Sequence, residues 1–164
     1  MAKQQITLKA RALRLLAARE YSAHDLRARL YAYAREDDDV SALLDWLQAQ
    51  GFLSDARFSG SFIRKNASRL GTQRIMRELA ARGIPTESLV QEKQRLDADE
   101  PARAKAVWMK KFGNDPPSAK AWARQVRFMR QRGFSAEAIR YAMRAGGREK
   151  DTFMETALEG MDDV

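Results

Sequence analysis

Apolar residues recur along this chain at the three-to-four spacing of helices that bury one face. Val40, Leu43, Leu44 and Leu47 stand at i, i+3, i+4 and i+7, while Leu26, Leu30 and Tyr33 stand at i, i+4 and i+7, as do Trp122, Val126 and Met129. Ala104, Val107, Trp108 and Phe112 form a similar stripe. Each predicts a helix with a core face. Ser22, Ser54, Ser118 and Ser135 sit where an N-cap oxygen would satisfy free backbone N–H groups. Gly51, Gly83 and Gly133 each follow an apolar helix and precede Phe52, Ile84 and Phe134, the pattern of a left-handed glycine stop. Pro85, Pro101, Pro116 and Pro117 are placed at helix starts or in loops.

These stripes and stops divide the chain into about nine helices: first helices at 8–20, 55–68 and 100–112, second helices at 22–35, 72–82 and 118–132, third helices at 39–50, 86–96 and 136–145. The expected organisation is a tail at 1–7, three-helix repeats at 8–52, 53–98 and 99–146, and an acidic tail at 147–164. That tail has a helical pattern in Phe153, Met154, Ala157, Leu158 and Met161. A period near 46 predicts an elongated helical array. Leu47-x-x-x-Gly51-Phe52, Leu79-x-x-x-Gly83-Ile84 and Met129-x-x-x-Gly133-Phe134 share spacing. They mark either a repeat register or a shared way of ending helices.

Composition supports an all-α chain. Val, Ile and Thr together number 15, against 27 Ala and 15 Leu. The absence of cysteine removes disulfides, thiolate zinc sites and cysteine nucleophiles. Neither a leader-like N-terminus nor an apolar run of membrane-spanning length is present, so a cytoplasmic monomer without membrane partners is expected. The net charge of +8 is segmental: residues 1–35, 61–84 and 103–150 are basic, whereas 36–60, 85–102 and 151–164 are acidic.

Candidate chemistry is sparse. His24 is the single histidine and reads as a surface or capping residue. The run Glu36-Asp37-Asp38-Asp39 lacks the alternation and glycine of a calcium loop and reads as a solvated turn leading a helix. No catalytic residue, metal ligand or cofactor is assigned, and the chain is not expected to be an enzyme. Binding is another matter. With Trp122, Val126 and Met129 inward, Lys120, Arg124, Arg127 and Gln131 share the opposite face of their helix. With Ile75 and Leu79 inward, Gln73, Arg74 and Arg77 do the same. Such faces suit a phosphodiester backbone or an acidic protein groove, or they simply solubilise the chain. Tyr31 and Arg35 join them on an outer face. The other aromatic residues are mostly assigned to the core, with Phe58 and Phe62 as i, i+4 partners and Trp46 beside a core stripe.

Four blocks resemble the RecX family: Arg19-Glu20-Tyr21-Ser22-Ala23-His24-Asp25-Leu26-Arg27-Ala28-Arg29-Leu30; Gly51-Phe52-Leu53-Ser54-Asp55-Ala56-Arg57-Phe58; Gly71-Thr72-Gln73-Arg74-Ile75-Met76-Arg77-Glu78-Leu79 leading to Gly83-Ile84; and Arg132-Gly133-Phe134. They span about residues 8–146 in the family's order. The resemblance implies a curved array of three-helix repeats that regulates recombination and repair within the SOS response. Its expected partners are the RecA filament and DNA, single-stranded and also double-stranded, with inhibition of ATP hydrolysis, strand exchange and filament growth. The alternative is a general DNA-binding module that acts by competition. The resemblance transfers no catalytic residue. Glu36–Asp39 and the tail beyond Gly146-Gly147 depart from the family pattern.

Overall fold

A computed structural model describes residues 6–144, so the expected helix within 147–164 lies outside the described residues. Among the described residues eight α-helices follow in order: α1 Leu8–Ala18, α2 Ala23–Tyr31, α3 Val40–Ala49, α4 Asp55–Asn66, α5 Thr72–Ala80, α6 Val90–Lys111, α7 Ala119–Gln131 and α8 Ala136–Met143. A short 3₁₀ turn, Thr86–Leu89, precedes α6. No strand occurs among the described residues. None of their helices is long and apolar enough to cross a membrane.

The starts and stops follow from local chemistry. Ser22, Ser54, Ser118 and Ser135 accept the backbone N–H of Asp25, Arg57, Ala121 and Ala138 at 3.0–3.2 Å. Asp39 caps α3 through the N–H of Ala42, while Asp38 accepts that of Arg35, so the acidic run leads a helix as expected. Gly51, Gly83 and Gly133 all have φ between 74° and 84°. After each, the next N–H reaches back to Leu47, Leu79 or Met129, closing the same helix stop. The shared spacing of the three Leu/Met-x-x-x-Gly segments is therefore explained by helix-ending geometry.

Two expectations are corrected. The helices expected at 86–96 and 100–112 are one 22-residue helix, α6, with Pro101 inside it. Proline in a helix interior loses one hydrogen bond and crowds the preceding turn, at about 3 kcal/mol. Tertiary bonds made by Glu100 and Arg103 hold the segment on both sides of the proline. Second, α2 ends at Tyr31 and not near 35. The Tyr33 N–H bonds to Leu30 in the closing turn, and Tyr33 is 51% exposed and lies outside the core.

The chain divides into two compact units, the first comprising residues through Ile63 with Leu79–Pro85, the second Arg64–Glu78 with residues from Thr86 onward. The core of the first joins Leu8, Tyr21, Leu26, Leu30, Val40, Leu44, Leu47 and Leu53. Its α2 receives a cap from a distant residue, because Asp55 accepts the Ala23 N–H at 2.8 Å. Arg57 closes the same corner, donating to Glu20 and to the carbonyls of Gly51 and Phe52. In the second unit, Trp108, Trp122, Val126, Met129, Phe134, Ile139 and Met143 form the core. Trp108 donates its indole N–H to buried Gln125 at 2.7 Å.

A parallel arrangement locks the second unit. Buried Glu100 accepts the Thr72 N–H at the start of α5 at 2.7 Å and the Ser135 N–H before α8 at 3.3 Å. Gly71 has no side chain with which to cap α5, so the carboxylate supplies the acceptor. Arg103, one turn along α6, donates to the carbonyls of Ala67, Leu70 and Leu96 and to the Thr72 hydroxyl. Burial lowers the Arg103 pKa, and nearby Glu100, Asp99 and Asp97 oppose that shift. Gly71 and Gly133 meet backbone to backbone, since a Cβ on Gly71 would overlap the Gly133 carbonyl. The Gly71 N–H donates to Arg132 at 2.8 Å.

Candidate protein and nucleic-acid interface

The basic face expected on α7 is present. Trp122, Val126 and Met129 are buried, whereas Lys120, Arg124, Arg127 and Gln131 are exposed. Lys120, Arg124 and Arg127 line an open groove of about 380 Å³ together with Ser118, Ala121 and Ala123. These three cations have no carboxylate partner among the described residues. They remain available to an external anion. A rise of ~1.5 Å per residue spreads them over roughly 10 Å of the helix axis, enough for two or three phosphates of an extended strand.

The α5 face divides in two. Gln73 and Arg77 are exposed, as expected. Arg74 is largely committed elsewhere: its Nη1 donates to the Gln131 carbonyl at 2.9 Å, and its Nε pairs with Glu78 at 3.1 Å. It thereby satisfies a terminal carbonyl of α7 and joins the α5 face to the end of the α7 stripe. Sequence periodicity identifies its helix face but not the partner 57 residues away. Gln73 instead lines a second cleft, of about 570 Å³, beside Pro101 and Ser135.

Tyr31 and Arg35 belong to the first unit, and both are exposed. Tyr31 is 58% exposed at the end of α2. A neighbouring feature escaped the sequence reading: the Arg11 guanidinium lies 3.8 Å from the centre of the Tyr33 ring. Its signal was an aromatic residue just past a helix end, which the periodic stripe had assigned to the core. His24 is exposed beside Gly83. No group of three or more metal-ligating side chains occurs among the described residues.

The four blocks that resemble the family are largely occupied with scaffold contacts. Ser22 caps, Leu26 and Leu30 pack, Asp55 and Arg57 bind backbone groups, and Gly71 and Gly133 permit a close crossing. Comparison with known proteins agrees with this architecture. The sequence model for the RecX third three-helix domain matches residues 98–143, and that for the second matches residues 54–92. The Regulatory protein RecX of Herminiimonas arsenicoxydans is 50% identical over 151 residues, covering 92% of this chain and all of its own. The chain belongs to the RecX family. The RecX of Herbaspirillum seropedicae is 44% identical, with 92% of this chain and 98% of its own covered. The crystal structure of RecX from Lactobacillus salivarius superposes with a TM-score of 0.61 at 14% identity, covering 96% of both chains, and supports the fold alone.

Proposed function

We propose that this chain is a non-enzymatic regulator that engages the RecA filament on DNA and restrains its ATP hydrolysis, strand exchange and growth in the cytoplasm. Family membership supports the regulatory class. The observation that carries a binding mode is the α7 groove, where Lys120, Arg124 and Arg127 share an exposed face without carboxylate partners among the described residues. Arg77 extends the positive surface on α5, and Arg74 links the two helices. Phosphates or an acidic protein groove would meet these cations without any change in the buried core.

The three-helix repeats at 8–52, 53–98 and 99–146 are part of this reading, with α6 serving both the second repeat and the third. Binding to a preassembled filament of RecA on single-stranded DNA tests the interface. Fluorescence anisotropy of the labelled chain should show association that weakens at least about tenfold in the Arg124→Glu, Arg127→Glu double variant, with unchanged circular dichroism. No association of the wild-type chain, or equal association of the variant, would reject the proposed interface.

A further inference from the structure

The α7 groove carries cations but no exposed aromatic ring on its walls. Such a surface binds phosphates and gives little reason to prefer unpaired bases over a duplex. The first unit presents a different chemistry. Tyr33 keeps half its surface open although Arg11 covers its ring at 3.8 Å, and Tyr31, two residues earlier, is more exposed still. Neither tyrosine is needed to complete the core described for this unit.

Tyr33 and Arg11 also line an open cavity of about 410 Å³ with Ile6, Thr7, Arg35 and Asp38. This volume accommodates a nucleobase. Asp38, the carboxylate on that wall, already accepts the Arg35 backbone N–H at 2.9 Å. On the adjoining helices, exposed Arg14, Arg27 and Arg29 have no carboxylate partner among the described residues. The combination is an aromatic face backed by a guanidinium, a cavity of suitable size and exposed cations on the adjoining helices. These features match the recognition of single strands, in which rings stack on bases while cations follow phosphates.

We propose that Tyr33, backed by Arg11 and assisted by Tyr31, forms a stacking platform for unpaired bases and gives this chain a preference for single-stranded nucleic acid. The inference rests on the DNA engagement proposed above and adds a separate contact to it. A duplex hides the base faces that the platform requires. An abasic strand retains the phosphates but offers nothing to stack.

Anisotropy with labelled oligothymidylate, an abasic strand of equal length and a duplex of equal length separates these contributions. Tyr33→Leu should lower affinity for oligothymidylate by about 5- to 100-fold, from the loss of one stacked base. Affinity for the abasic strand and duplex should be unchanged, and Tyr33→Phe should restore oligothymidylate binding. Equal losses on all three ligands, no loss on oligothymidylate, or failure of Tyr33→Phe to restore binding would overturn the platform. If Arg124→Glu, Arg127→Glu weakens all three while Tyr33→Leu weakens none, the platform fails but DNA engagement stands. If the wild-type chain binds none of them, both readings fail.

Discussion

Replacing Glu100 by alanine should destabilise the second unit far more than removing an ordinary helix cap. In the wild type its carboxylate accepts the Thr72 N–H at 2.7 Å and the Ser135 N–H at 3.3 Å while itself 4% exposed. Removal leaves the Thr72 donor buried without this acceptor, weakens the start of α8, and takes away the largest charge effect opposing the burial-induced lowering of the Arg103 pKa. Losing a bond to a charged acceptor from a buried donor costs about 1–3 kcal/mol. The longer Ser135 contact contributes at the low end. A total of roughly 2–4 kcal/mol follows, a large fraction of the ~5–15 kcal/mol that stabilises a domain. Urea unfolding followed by tryptophan fluorescence is the appropriate assay, because Trp108 and Trp122 both lie in this unit's core. Ser118→Ala, removing an exposed cap, should cost only about 1 kcal/mol. Equal losses in the two variants would refute the assignment of Glu100 as a shared buried acceptor.

Glu100→Gln should recover part of the lost stability, because its amide oxygen can accept the Thr72 N–H while its NH₂ cannot accept from Ser135; urea midpoints should rank wild type above Gln and Gln above Ala. Gly133→Ala should destabilise by at least about 1–3 kcal/mol in thermal unfolding, since its Cβ would overlap Arg74 and its φ of 84° is left-handed. Asp55→Ala should cost about 1–2 kcal/mol through loss of the Ala23 cap, measured as a shift in the urea midpoint. The Arg124→Glu, Arg127→Glu variant should retain normal helicity while the salt dependence of single-strand binding falls by up to about 1.4 in log–log slope, as counterion titrations would measure.

Much of the scaffold was legible because its signals act within a few residues. Serine oxygens reach N–H groups three positions ahead, and the glycine stops return a hydrogen bond to a residue five positions behind, so capping and helix endings follow directly from spacing. The continuity of α6 was not legible. Pro101 argued for an interruption, whereas the bonds of Glu100 and Arg103 to residues 28–36 positions distant support a continuous helix. The same limitation applies at the interface. Periodicity selected the exposed α7 stripe correctly, but Arg74's carbonyl contact and Tyr33's exposed stack depend on tertiary geometry. A recurring acidic and basic arrangement, Asp55-x-Arg57 and Glu100-x-x-Arg103, was the available clue that charged residues also tie the scaffold together.

The central claim is tested most directly by RecA-catalysed ATP hydrolysis on single-stranded DNA, with this chain added well below saturation of the DNA and the measurement repeated in DNA excess. A filament regulator predicts inhibition in both conditions. Absence of inhibition at low stoichiometry, or its disappearance when DNA is in excess, would contradict filament regulation.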